Sequence, residues 1–388
     1  MEQNVKERSA SRRLAPAGLL FAAVGLLLFA YFVWRAGPWE VWNNISKIGA
    51  GFLLILALAG ARFGVRSLAW TLCFEAPHRL GFVEAFKAYL IGDTAGNIVP
   101  LGIVVSEPAK AALVRERVPL VVALSAIAVE NLFYMLSVAL FIFGGAAALL
   151  LSFPLPRSLR WSSEGVLAGV AVFITFGIVA ARRQWRFLSG AMEALAARGV
   201  GRRLLASKRE KVVALEERVY GFYARNRERF LPILLLEGVF HLLGVMEAYV
   251  TIYLISDVPP TALAAFLFES VNRVITMVFK FVPLRAGVDE LGTGQLARVL
   301  AFGVAAGVTL AVVRKARMLF WMAVGVALLI GRGLSLRAVT EEAARAQRSV
   351  AGAGKESRES VVLKAEAEGQ EPGIRDRESE VGRGAPGI

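Results

Sequence analysis

Apolar residues in this chain are gathered into blocks of about 17–25 residues, the length at which a helix crosses roughly 30 Å of hydrocarbon. The chain has 388 residues, 56% of them hydrophobic, and its mean hydropathy is +0.57. A soluble chain would divide such content into short periodic runs. The blocks therefore predict an all-α fold, a polytopic membrane helix bundle with about eight spans and one or two broken or re-entrant segments.

The predicted spans are residues 14–34, 51–73, 118–140, 165–181, 230–255, 261–282, 296–313 and 318–330. Together they make one transmembrane domain over residues 14–331. Residues 1–13 are predicted to be a cytoplasmic N-terminus. Residues 332–388 are rich in charged and small residues and poor in aromatics, so we expect a disordered cytoplasmic tail.

Basic residues predict how the chain is oriented. Residues 182–229 carry thirteen Lys and Arg against five Glu, within a formal net charge of +14. The positive-inside rule places this loop and both termini in the cytoplasm of a bacterial inner membrane. The loop would also suit an anionic leaflet, and its position beside the membrane argues against nucleic acid. Arg314, Lys315 and Arg317 would fall outside, unless residues 284–313 form a re-entrant hairpin that changes the count.

A short motif occurs twice, each time where Pro and Gly interrupt an apolar stretch. Residues 99–107 read Val-Pro-Leu-Gly-Ile-Val-Val-Ser-Glu, and residues 282–290 read Val-Pro-Leu-Arg-Ala-Gly-Val-Asp-Glu. Paired helix breaks point to the binding site of a transporter, although chance similarity is the competing explanation. The four spans predicted between the copies make the repeat parallel. Around the first copy, residues 82–117 predict a pair of half-helices; the alternative is an amphipathic cytoplasmic helix and loop.

Ionisable side chains inside predicted spans cost about 2.5–3.5 kcal/mol each, so each requires a reason. Arg62 and Arg66 lie one turn apart on the second span, and like charges cannot neutralise each other. They need an anionic ligand, such as a lipid phosphate, or an acid from another helix, such as Glu107, Glu130 or Glu290. Snorkelling to water is the alternative for Arg66.

Two further pairs, Glu237 with His241 and Glu269 with Arg273, are spaced four residues apart and could simply neutralise each other within one helix. Cys73 is the only cysteine, the two histidines are distant in sequence, and no nucleotide-binding motif occurs, so we expect no metal and no cofactor. The candidate substrate-binding residues are Arg62, Arg66, Asp93, Asn97, Glu107, Lys110, Glu130, Arg273 and Glu290.

Residues 97–100 (Asn-Ile-Val-Pro), 106–110 (Ser-Glu-Pro-Ala-Lys) and 130–131 (Glu-Asn) resemble successive motifs of the lysylphosphatidylglycerol synthase transmembrane region, also called the flippase-like domain. Residues 283–290 resemble its later Gly-rich motif ending in Glu. The likeness extends over about residues 14–331, with Ser106, Lys110 and Asn131 where Gly, Arg and Arg are usual. It implies a flippase-like protein that acts without the family's soluble aminoacyltransferase domain, for which the polar tail is too short.

The sequence leaves three functions open. The first is a lipid translocase that binds an anionic lipid head group, with a phospholipid as its partner in the membrane. The second is an integral-membrane enzyme that modifies a lipid head group, with Asp93, Glu107 and Lys110 in acid–base roles. The third is a non-catalytic partner of a separately encoded lipid-synthesis enzyme, docked through the basic loop or the tail.

Overall fold

The computed structural model describes residues 37–98, 103–182, 225–279 and 285–331, with a few isolated positions within 27–35 and at 221, 222 and 282. All regular structure in this part of the chain is α-helical, which confirms the predicted fold class. The helices are α1 Pro38–Ile48, α2 Gly51–Leu72, α3 Phe82–Ile98, α4 Ile103–Leu113, α5 Leu120–Ser152, α6 Arg157–Arg182, α7 Arg227–Ile255, α8 Ala262–Val278, α9 Val288–Val299 and α10 Val304–Gly331.

Four of the described helices are long and apolar enough to cross a membrane by length and composition: α2, α5, the Arg157–Phe176 part of α6, and α7. Proline and hydroxyl side chains set several helix ends. Pro119 precedes α5, and the Thr261 hydroxyl accepts a hydrogen bond from the Ala264 N–H at 3.1 Å to cap α8. Pro232 lies in the second turn of α7, and the helix continues through it.

Helix α7 lies at the centre of the bundle and packs against α2, α5, α8 and α10. Two helical hairpins, α3–α4 and α9–α10, flank this centre, and α10 also packs along α3. Glycines allow the backbones to approach closely, as in other membrane bundles. A Cβ on Gly307 would lie 2.3 Å from the Thr293 carbonyl oxygen, and one on Gly92 would lie 3.0 Å from the Ser106 carbonyl oxygen.

The prediction of separate spans at 296–313 and 318–330 is wrong. Helix α10 is continuous from Val304 to Gly331, and the chain turns instead at residues 300–303, where Ala301 and Gly303 have φ of 63° and 81°. The cations at 314–317 do not end the helix, because acids on neighbouring helices bind them in the bundle interior. The alternative, a hairpin within 284–313, comes closer to the structure.

Residues 82–117 do form two short helices, α3 and α4, as predicted. Residues 99–102, where the first motif copy begins, lie outside the described residues. So do most of the first predicted span at 14–34, most of the basic loop at 182–229, and the tail at 332–388. Helix α5 continues beyond residue 140 to Ser152, which is as far as the apolar run before Pro154 extends, and α6 begins at Arg157 rather than at residue 165.

Candidate functional site

A cavity of about 300 Å³ lies among α2, α3, α4, α5, α7, α8 and α10. Arg62 lies half-way along α2, a helix of 22 residues, so the cavity is near the middle of the bundle. Six basic side chains line it against two acidic ones. They are Arg62, Arg66, Lys110, Arg273, Arg285 and Arg317 on the basic side, and Asp93 and Glu107 on the acidic side.

Two buried acids behind the cavity wall hold the arginines on one side. Arg62 Nη1 donates to Glu247 Oε2 at 3.1 Å, and its Nη2 donates to Glu269 Oε1 at 3.1 Å. Glu269 also accepts from Arg273 and, at 3.1 Å, from Arg314, while Glu247 accepts from Arg317. Helices α2, α7, α8 and α10 are thereby joined through two carboxylates that are 1–2% exposed.

Arg66 is held by α5. Its Nε donates to Glu130 Oε1 at 2.8 Å, and its Nη2 lies 2.6 Å from the same oxygen and 3.4 Å from Asn131 Oδ1. The guanidinium also lies over the Tyr134 ring, 3.7 Å from its centroid. Arg66 is 8% exposed, so it is buried in protein rather than extended toward water.

An aromatic ring anchors three of the guanidinium groups. The Phe240 ring of α7 has Arg62, Arg66 and Arg273 over it, at 4.6, 5.6 and 4.8 Å from the centroid. Stacking on a ring fixes the plane of a guanidinium and leaves its N–H edge directed outward. Such edges match the oxygens of a carboxylate or phosphate in a bidentate manner.

The α3–α4 hairpin contributes a further part of the cavity wall. Lys110 Nζ lies 3.0 Å from Glu107 Oε1 and 3.9 Å from the centroid of the Tyr89 ring. Asn97 donates to the Asp93 carboxylate at 3.0 Å, one turn earlier on α3. Lys110 is 3% exposed, while the Glu107 side chain is 29% exposed, so the lysine is much the more enclosed of the two.

The second motif copy ends at α9, next to the cavity. Arg285 lines the cavity, donates to Thr276 at 3.1 Å and binds Asp289 at 3.3 Å. Glu290 does not line it. One Glu290 oxygen accepts from the Gly287 N–H at 2.7 Å, which caps α9, and the other binds Lys315 Nζ at 2.6 Å.

Seven of the nine predicted residues line the cavity: Arg62, Arg66, Asp93, Asn97, Glu107, Lys110 and Arg273. The other two, Glu130 and Glu290, bind Arg66 and Lys315 from behind. Of the acids proposed as partners for the two arginines, only Glu130 has that role in the structure. Glu247 and Glu269 bind Arg62 instead.

The intrahelical pairing of Glu269 with Arg273 is confirmed, whereas Glu237 and His241 make no hydrogen bond to each other. Sequence reasoning missed several lining residues, above all Arg317, which it assigned to a loop. A signal was available, because residues 308–324 contain neither Gly nor Pro and favour a continuous helix. No such sequence signal marks the lining residues Tyr89, Tyr134, Phe240 and Trp321, since aromatic residues are common in membrane helices.

No group of three metal-ligating side chains occurs among the described residues. Searches of curated proteins and of solved structures found no match for this chain. The family model described as the lysylphosphatidylglycerol synthase TM region matches residues 17–327, which include every residue that lines the cavity. The chain therefore belongs to the family of the lysylphosphatidylglycerol synthase transmembrane region, a family of multi-pass membrane proteins.

Proposed function

We propose that this protein binds the anionic head group of a phospholipid in the cavity and carries the lipid between leaflets. The observation that carries the proposal is the lining, in which six basic side chains face two acidic ones around about 300 Å³. Cations this deep in a membrane bundle mark substrate or ion pathways. A phosphodiester with a small polar group fits such a volume, which is at the lower end of ligand sites.

The arrangement also favours a phosphate over a diffuse negative charge. Arg62, Arg66 and Arg273 are fixed by acids behind them and by the Phe240 ring, so little side-chain freedom is lost when a ligand binds. Lys110 adds a charge from α4. A phosphate in the cavity would accept hydrogen bonds from side chains of more than one helix.

The test is lipid movement in reconstituted liposomes. Purified protein is incorporated into phosphatidylcholine vesicles with a trace of head-group-labelled anionic or zwitterionic lipid, and a membrane-impermeant quencher reports the outer-leaflet fraction over time. We expect the anionic lipid to exchange faster than in protein-free vesicles, and faster than the zwitterionic one. Exchange equal to that of protein-free vesicles for every head group would contradict the proposal.

A matched pair of lysine substitutions locates the effect. Lys110→Met removes a buried cavity charge, and Lys47→Met removes an exposed charge that pairs with Asp257 outside the cavity. A hydrogen bond to a charged group is worth about 1.5–3 kcal/mol, so Lys110→Met should slow exchange about ten- to a hundredfold. Lys47→Met should be neutral, and equal rates for the two variants would exclude the cavity as the binding site.

The same vesicles separate transport from lipid chemistry. Mass spectrometry of the recovered lipid should show unchanged head groups. A new or missing head group would instead favour a membrane enzyme that acts on lipid at this site.

A further inference from the structure

Glu237, on α7, is the most isolated ionisable side chain in the described bundle. It is fully buried, and neither carboxylate oxygen has a hydrogen-bond partner in the part of the chain that the structure describes. The buried carboxylates of Glu130, Glu247 and Glu269, by contrast, each bind at least one of the cavity arginines. A carboxylate in such a position is strongly disfavoured as an anion, and the neutral acid is the form that its surroundings favour.

His241 follows Glu237 by one turn of α7 and is also incompletely satisfied. Its Nε2 lies 3.1 Å from the Ser137 hydroxyl, its ring stacks on Phe141 at 4.5 Å between centroids, and its Nδ1 has no partner among the described residues. An imidazole nitrogen without a partner can accept or pass on a proton. Glu237 and His241 are thus two titratable groups with unsatisfied polar atoms on one helix, and Phe240, which adjoins His241, lines the cavity.

The charged and titratable groups around this pair come from three neighbouring helices. They are Arg62 and Arg66 of α2, Cys73 directly after α2, Glu130 and Tyr134 of α5, and Arg273 of α8, which lies over the neighbouring Phe240 ring. Arg66 acts electrostatically on Glu237 and lies over the ring of Phe240, three residues further along α7, and Glu130 is the acid that already binds Arg66. An ionised Glu237 would therefore be a second carboxylate acting on one guanidinium.

We propose that Glu237 is the proton-binding site that couples lipid movement to a proton gradient, an inference that rests on the proposed function. When Glu237 holds a proton, Glu130 is the acid that binds Arg66, and Arg66 retains charge for an anionic head group. When Glu237 loses its proton, the two carboxylates compete with the head group for Arg66. Proton and anion therefore bind together, and by linkage each raises the affinity for the other by the same factor.

The experiment uses the liposome assay with a trace of labelled phosphatidylglycerol, whose phosphodiester stays ionised over the pH range employed. Exchange is measured without a gradient and with a proton gradient of either sign. We expect wild-type protein to move the label toward the side to which protons flow, with initial rates in the two directions differing about tenfold, within the usual range of coupling between two sites. The Glu237→Gln variant should still exchange the labelled lipid, but its exchange rate should be the same for both signs of the proton gradient.

The control is Glu228→Gln, which removes an exposed glutamate of the same helix and should behave as wild type. If the wild-type protein moves phosphatidylglycerol at a rate indifferent to the gradient, the proton site is refuted while the proposed function stands. If it moves no lipid at all, the proposed function itself fails. A response to the gradient that persists in Glu237→Gln would also overturn the assignment.

Proton binding can be followed without transport. Detergent-solubilised protein in weak buffer with a pH-sensitive dye, studied over a range of pH that extends to values at which Glu237 is partly ionised, should take up protons when short-chain phosphatidylglycerol is added, and Glu237→Gln should take up fewer. Equal uptake by both proteins would contradict the coupling. Equal elution of the two on size-exclusion chromatography verifies that the substitution leaves the fold intact.

Discussion

Glu269 is the residue whose removal should damage the bundle most, because one carboxylate joins three helices. Its oxygens accept hydrogen bonds from Arg62 of α2, Arg273 of α8 and Arg314 of α10, and from Asn272 at 3.2 Å. Glu269→Gln keeps the shape of the side chain but turns one oxygen into a donor. The side chains that donated hydrogen bonds to that oxygen then face an amide nitrogen, which cannot accept a hydrogen bond.

The magnitude follows from the contacts that are lost. Each hydrogen bond between charged groups contributes about 1.5–3 kcal/mol, and at least two are weakened, which gives about 3–6 kcal/mol. Removing one partner of a buried ion pair costs about 3–5 kcal/mol in soluble proteins, in the same range. We therefore expect Glu269→Gln to lower the free energy of unfolding by about 3–5 kcal/mol.

The assay is denaturation in detergent micelles followed by circular dichroism. Asp257→Asn is the control, because Asp257 forms an exposed pair with Lys47 at 3.2 Å and its side chain is 95% exposed. Such pairs contribute about 0–1 kcal/mol. Equal destabilisation by the two substitutions would refute the reasoning.

A second substitution tests the cause. Arg314 is 4% exposed, and Glu269 is the acid that binds it. Adding Arg314→Met to Glu269→Gln removes the uncompensated charge, so the double variant should be more stable than the sum of the single effects by about 0.5–3 kcal/mol. Strict additivity would mean that Glu269 acts through something other than its arginines.

Two further predictions concern packing and pH. Gly307→Ala should destabilise the α9–α10 hairpin by about 1–3 kcal/mol because the new Cβ meets the Thr293 carbonyl. The control is Gly238→Ala, whose Cβ meets no atom within 4 Å and which should be neutral or stabilising. The same denaturation assay compares the two variants. Arg225 donates two hydrogen bonds to Glu75 in the loop after α2 and holds the pKa of that carboxyl below its ordinary value. A depressed pKa stabilises the fold above that range and the stabilisation is lost as pH falls through it, so Glu75→Gln should flatten the acid side of a stability–pH curve. An unchanged dependence of stability on pH in the acid range would contradict the role of the Glu75–Arg225 pair.

The long apolar blocks predicted the helices well, because hydrocarbon leaves few alternatives to a helix. Helix α7 has nearly its predicted bounds, and α3 and α4 follow the predicted half-helices. The error at residues 296–330 arose from reading three cations as a loop. Hydropathy does not distinguish a charged side chain in water from one that is ion-paired inside a bundle. The three cations lie inside the bundle because acids on α7, α8 and α9 bind them.

The site was predictable where a charge interrupted an apolar block. Arg62 and Arg66 were found because like charges on one helix face require partners from elsewhere. Which acids would bind them was not predictable, because Glu247 and Glu269 reach Arg62 only through the packing of α7 and α8 against α2. The role of Phe240 under three guanidinium groups also depends on that packing.

The charges of the cavity and its supporting acids also link the two proposals. Among the described residues, eight cations take part: Arg62, Arg66, Lys110, Arg273, Arg285, Arg314, Lys315 and Arg317. Seven acids line the cavity or bind these cations: Asp93, Glu107, Glu130, Glu247, Glu269, Asp289 and Glu290. Near-neutrality makes so many charges tolerable in a bilayer.

With Glu237 protonated, one positive charge is left over, which a head group with a single negative charge would neutralise. With Glu237 ionised, the cluster is already neutral, and an anion entering it would leave one negative charge uncompensated.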